Sequence, residues 1–194
     1  CVWPDGAHLL ALPPVSLWLV SPFTIFFGPE TGLSALVFGH CLLTIGAGYF
    51  LARTVNMATW PAFTVGLLCS TTPGLIETLT AGVYEYQTIG WLLLCFASMI
   101  RACQGNWKWG FAAGFFYVLC ALECGYYGSA AALGTIVLFI AFTRDRWGLI
   151  GSICAAVTVG ILAYLCYHAI YPTLGKFRFT GGEMGVDPSE FTER

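Results

Sequence analysis

Apolar residues come in blocks along this chain, and short polar breaks separate them. The first block, residues 15–27, lies between Pro13-Pro14 and the run Phe26-Phe27-Gly28-Pro29-Glu30, and it carries Pro22. It is too short to cross a bilayer, which takes about 20 residues. It reads as an interfacial or re-entrant helix. Residues 31–52 form a first full span, stopped by Arg53. Residues 55–72 make a second span, ended by Pro73. The third is 86–100, stopped by Arg101, and a polar hairpin over 101–108 follows it. The fourth is 109–122, and a tight turn is expected over 123–128. The fifth is 129–143, and the sixth, 147–170, ends at Tyr171-Pro172. The fold class is therefore all-α. It is a polytopic transmembrane helix bundle of about six spans plus the N-terminal interfacial or re-entrant helix. Residues 1–172 make up the helical domain, and 173–194 an outward polar tail.

The longest break, PGLIETLTAGVYEYQTIGW over residues 73–91, joins the second and third spans. Gly74 and Gly82 interrupt any continuous helix there. Tyr84, Tyr86 and Trp91 are aromatics of the kind that settle where hydrocarbon meets headgroups. Glu77 and Glu85 have no basic residue near them in sequence. A helical loop would place these two on roughly one side, about 12 Å apart.

Charge then orients the chain. Numbering the breaks alternately puts Arg53, Arg101, Lys108, Arg144 and Arg146 on one side. The other side receives Asp5, Glu30, Glu77, Glu85 and Glu123, with no Lys or Arg before Lys176. Lys and Arg stay in cytoplasmic loops, so the acids and the tail face outward. Composition agrees: 58% of residues are hydrophobic and 9% charged, against roughly 25% charged in soluble domains. A net charge of -2 gives no footprint for nucleic acid. Most of the nine cysteines fall inside apolar runs, where a free thiol acts as a small hydrophobe. Cys120 and Cys124 stand one helical turn apart without a nearby His, so no zinc ligand set forms. Residue 1 is Cys and the chain stops in polar sequence. It reads as a fragment of a longer protein.

Exposed outward acids such as Glu30 need no role beyond solvation. Glu85 and Glu77 sit in a compact apolar loop, and Glu123 lies at the lip of a hairpin near bilayer depth. Ionisable groups at that depth usually line a cavity or pathway. Asp5 and His8 share the first outward segment, where Asp5 before Gly6 also suits a turn. Tyr86 adjoins Glu85. His40 and His168, single histidines within spans, read as hydrogen-bonded packing residues. Lys176 and Arg178, flanked by Phe177 and Phe179, suit an interface anchor or a lipid phosphate.

The order of these pieces resembles the bacterial members of the GT-C superfamily of polytopic glycosyltransferases. The resemblance runs over residues 3–143, through WPDGAHLLALPP, SPFTIFFGPETG, GAGYFLAR, STTPGLIETLTAGVYEYQTIGWLLL and LECGYYGSAAALGTIV. It implies a GT-C-like fold in a bacterial cytoplasmic (inner) membrane. The implied reaction moves a sugar from a polyprenyl-phosphate donor to an acceptor at the outer face. The partners are then a lipid-linked sugar donor and membrane lipids. An outward carboxylate would be the general base. A side-chain cation or a divalent metal, Mg²⁺ or Mn²⁺, would stabilise the departing phosphate. The family's usual Asp sits early in the first outward loop, and no acid precedes Asp5 here, so the principal base is expected upstream of residue 1. Glu85, with Asp5, is then the catalytic carboxylate this chain itself offers. Glu77, Glu123, His8, Tyr86, Lys176 and Arg178 are the substrate-binding set. A transporter or lipid flippase using the same acids, and a noncatalytic membrane scaffold, are the competing readings.

Overall fold

The computed structural model describes residues 14–73, 75–76, 87–142 and 145–174. Among them are seven helices: α1 (Pro14–Phe27), α2 (Pro29–Thr54), α3 (Thr59–Ser70), α4 (Ile89–Cys103), α5 (Trp109–Glu123), α6 (Gly125–Phe142) and α7 (Arg146–Leu174). The described residues contain no strand. The chain divides into two compact units, residues 1–159 and 160–194. The contacts described below all lie within the first.

Gly28 turns α1 back along α2. Its φ of 86° is comfortable only without a Cβ. Its amide donates to the Thr24 carbonyl and its carbonyl accepts from the Gly32 amide, both at 3.0 Å. Pro29 then opens α2, where a missing N–H costs nothing. The absent side chain of Gly32 lets Thr24 and Val20 of α1 lie directly on α2. The result is an apolar helical hairpin whose 14-residue first arm has the short length expected there.

Close approach without side chains repeats through the bundle. At the α2–α3 seam a Cβ on Gly48 would fall 3.0 Å from the Gly66 Cα, and one on Gly66 would strike the Ile45 carbonyl. Gly39 and Gly46, on the same helix as Gly48, have open space around them instead. Gly110 and Gly114 of α5 bring the backbone of α7 into contact near Gly151 and Ala155. The interior is accordingly built from small residues. Ala62, Ala97, Ala102, Cys120 and Ala131 are fully buried, with Met99 the largest side chain among them. The large ones face outward: Ile25 and Phe26 are 78% exposed and Trp60 80%. Small residues inside and bulky apolar ones outside is an arrangement that helices packed in lipid adopt.

Among the described residues two helices are long and apolar enough to cross a membrane, Pro29–Thr54 and the Arg146–Cys166 part of α7. The apolar window of α7 is only 11% buried, whereas the core helix of a soluble protein would be mostly covered. The other expected spans are shorter. α3 has 12 residues, and α4 and α5 have 15 each. At 1.5 Å per residue these rise about 18 and 22 Å, less than the roughly 30 Å of a hydrocarbon core. α3 starts late because Asn56, at φ 62°, bends the chain after Arg53, whose Nη1 donates to the Met57 carbonyl at 2.8 Å. The tight turn expected over 123–128 shrinks to one extended residue, Cys124, and helix resumes at Gly125. It can do so because Gly128 lies against Ala121 with no side chain between them.

α2 and α4 run in the same direction. Gly90 at the start of α4 lies beside Leu43, and Gln104 just after its end donates from Nε2 to the Thr54 carbonyl at 2.8 Å. The first 13 or so residues of α2, with α1 folded along them, therefore extend beyond the start of α4. That overhang, about 20 Å long, frames the site described next.

Candidate functional site

The start of α1, the middle of α2 and the end of α5 meet at three polar side chains. Ser16 donates from Oγ to Glu123 Oε2 at 2.6 Å. The same Oγ stands 3.0 Å from His40 Nε2. All three residues are buried, at 2%, 4% and 3% exposure for Ser16, His40 and Glu123. A hydroxyl has one proton, and Ser16 gives it to Glu123. Its contact with His40 must then be accepted, which places a proton on Nε2. A neutral imidazole in that tautomer has a bare Nδ1. Nδ1 of His40 and Oε1 of Glu123 are both buried and have no partner.

Two features set this row apart from ordinary packing. An apolar interior penalises every unsatisfied polar atom, yet the row ends in one at each side. It is also ordered His–Ser–Glu, with the hydroxyl in the middle. In a hydrolase triad the imidazole stands between hydroxyl and carboxylate and draws the proton off a nucleophilic Ser. Here Ser16 is a bridge, not a nucleophile. The arrangement can pass a proton from His40 Nδ1 to Glu123 by two successive hydrogen-bond shifts.

His40 also lines a cleft of about 320 Å³ between α1, α2 and α4. Its other walls are apolar: Leu19, Val20 and Phe23 from α1, Leu36 and Leu43 from α2, and Trp91 from α4. Trp91 stacks on Phe116 of α5 at 6.1 Å between centroids, and its indole Nε1 is a further buried donor without a partner. The cleft is thus a hydrocarbon-lined recess under the α1–α2 overhang, with one titratable side chain in its wall.

Of the residues singled out from sequence, Glu123 is in this row. Glu30 is not; it is exposed at the start of α2, about 15 Å along that helix from His40. Asp5, His8, Glu77, Glu85, Tyr86, Lys176 and Arg178 lie outside the described residues. The stretch carrying Glu77 and Glu85 is pinned at its base, where Gln87 Nε2 donates to the Leu75 carbonyl at 2.7 Å. That base is four residues from Trp91 in the cleft wall. His40 has the hydrogen-bonded role expected of a histidine within a span. Its connection to Glu123 was not visible, and Ser16 carried no signal beyond being a hydroxyl in an apolar block. The described cysteines are free thiols. Among the described residues no three His, Cys, Asp or Glu side chains gather as metal ligands.

No family model, no curated protein and no solved structure matches this chain.

Proposed function

We propose that this chain is the membrane part of a glycosyltransferase, one that moves a sugar from a polyprenyl-phosphate donor to an acceptor hydroxyl at the outer face of the bilayer. The observation that carries the reading is the buried His40–Ser16–Glu123 row ending beside an apolar cleft. A lipid-linked sugar has that polarity: a long hydrocarbon with a polar reacting group at its head. The cleft suits the first isoprene units, and the row suits the acceptor proton.

The proposed step balances as follows. The acceptor hydroxyl gives its proton to His40 Nδ1, the Nε2 proton moves to Ser16 Oγ, and the Ser16 proton moves to Glu123 Oε2. The acceptor oxygen forms a bond to the anomeric carbon, and the bond from that carbon to the phosphate oxygen breaks, with the electron pair leaving on the phosphate. Glu123 is then the outward carboxylate that finally holds the proton, and the acceptor reaches the buried His40 Nδ1 by opening the cleft wall that His40 forms. The loop acids Glu77 and Glu85, whose base lies near Trp91, are close enough in the chain to bind the sugar hydroxyls. Asp5 and His8 keep the roles that the GT-C resemblance implies for them, as do Tyr86, Lys176 and Arg178, with the cations on the departing phosphate.

Gly39 supplies the test. It lines the cleft, and a Cβ there meets nothing within 4 Å, so Gly39→Leu fills the recess without disturbing the fold. With the protein in nanodiscs and a radiolabelled polyprenyl-phosphate sugar, the variant should raise KM at least tenfold for a long-chain donor. A donor carrying a single isoprene unit should be affected little. Equal transfer by both proteins, or no transfer by the wild type, would end the reading.

A buried row of titratable groups also serves proton-coupled carriers, so proton flux in proteoliposomes should be measured beside transfer. Flux that depends on Glu123 without any sugar transfer would favour the transporter. Orientation has its own check. Thr72→Cys, at the end of α3, should label from outside intact cells with a membrane-impermeant maleimide. Asn106→Cys, between α4 and α5, should label only after permeabilisation. Both sites are exposed, and the reverse result would put the row at the cytoplasmic face.

A further inference from the structure

The opposite end of the bundle holds a second polar recess, of about 240 Å³. Two guanidinium groups line it, Arg53 from the end of α2 and Arg101 from the end of α4. Thr54, Asn56, Gln104 and Asn106 complete its polar wall, and among the described residues no carboxylate is part of that wall. Two like charges facing one recess repel each other unless something negative stands between them.

Arg101 is held in place by two aromatic rings. Its guanidinium carbon lies 4.6 Å from the Phe50 ring centroid and 5.2 Å from that of Trp109. The two rings are themselves 5.4 Å apart. Cation–π contacts fix the plane of the guanidinium, yet leave its N–H edge for an acceptor. Arg53 spends one N–H on the Met57 carbonyl and keeps the others. The wall between them is rigid as well. Gln104 ties α4 to the Thr54 carbonyl, and Asn56 sits in a left-handed turn at φ 62°. Two forked donors on fixed arms, with neutral amides between them, match the oxygens of a phosphate group. At roughly 30 Å³ per water the recess has the volume of about eight waters, room for a phosphate and the first atoms it is esterified to.

We infer that the recess between Arg53 and Arg101 is a binding site for a phosphate-bearing anion. The same chemistry is offered by an anionic phospholipid headgroup and by free phosphate. The site is at the other end of the bundle from the His40–Ser16–Glu123 row and stands whether or not that row transfers sugar.

The test uses the full chain purified in detergent. Native mass spectrometry would count phosphatidylglycerol retained against a phosphatidylcholine background, and thermal unfolding would be followed with added inorganic phosphate. Wild type should retain phosphatidylglycerol preferentially, or its midpoint should rise with millimolar phosphate. The first result identifies a lipid headgroup as the source and the second a soluble anion. Arg53→Gln, at an exposed position that leaves the Phe50–Arg101–Trp109 stack intact, should weaken the effective probe at least tenfold. Arg101→Gln should do the same. Lys108→Gln, a cation near this end but outside the recess, should change it less than twofold. Binding of neither probe would overturn the inference. So would equal losses in all three variants, which would mark a diffuse positive surface rather than a site.

Discussion

Glu123→Gln is expected to lower sugar transfer by about 10²- to 10⁴-fold, the usual contribution of general acid–base catalysis, while the protein still folds. The substitution keeps size and keeps an oxygen able to accept from Ser16, which bridges α1 and α5 through its 2.6 Å hydrogen bond to Oε2. What it removes is the proton acceptor at the end of the proposed relay. The row has a second job, fastening α1 to α2 and α5, and the two jobs separate cleanly between variants. Ser16→Ala breaks both the fastening and the relay, so it should lose activity and lower the thermal midpoint together. Glu123→Gln should lose activity with the midpoint nearly unchanged. Transfer assays on purified protein, with fluorescence-detected unfolding beside them, read both quantities. Full activity in Glu123→Gln would reduce the row to a structural clasp and return the search for a base to Glu85 and Asp5.

The second large effect concerns the seam between α2 and α3. Gly66→Val should cost about 3 kcal/mol or more, the upper end for overpacking in a well-packed interior. The obstacle is backbone, the carbonyl and carbon of Ile45 and the amide nitrogen of Tyr49, which cannot turn aside as a flexible side chain can. Relief requires the helices to separate. The control is Gly46→Val on the neighbouring turn of α2, where a Cβ meets nothing within 4 Å. That change should stay within about 0.5 kcal/mol, as surface substitutions do. Unfolding midpoints in the same detergent decide the comparison, and equal effects would show that the seam is looser than its geometry.

The elements that local pattern determines were legible before any coordinates. α1 is bracketed by Pro14 and Gly28, and both leave a mark in sequence because both act on their own backbone. α2 is a long apolar run ended by charge, and α7 is a long apolar run that continues through Pro172, where the sequence expectation ended it, to Leu174. The short helices were harder. α3 loses its first turn to the left-handed Asn56, which an apolar count does not register. The turn after Glu123 contracts to Cys124 because Gly128 fits against Ala121, a tertiary fact. The candidate site was legible only at one corner. Glu123 stood out as a carboxylate near bilayer depth. His40 lies 24 residues from Ser16, and Ser16 lies 107 from Glu123. No periodicity connects positions so far apart. The glycines teach the same lesson: Gly39, Gly46 and Gly48 look alike in the chain, and only Gly48 makes a helix contact.

That separation of 107 residues bears on how the molecule is made. A ribosome adds roughly 5–20 residues per second, so α1 emerges about 5–20 s before the carboxylate it is to meet. During that interval Ser16 has only His40 as a possible companion, and the arm that contains it has nothing on α5 to rest against. The first described helix is therefore among the last to be locked, because α1 must wait for the end of α5 before its serine gains the carboxylate.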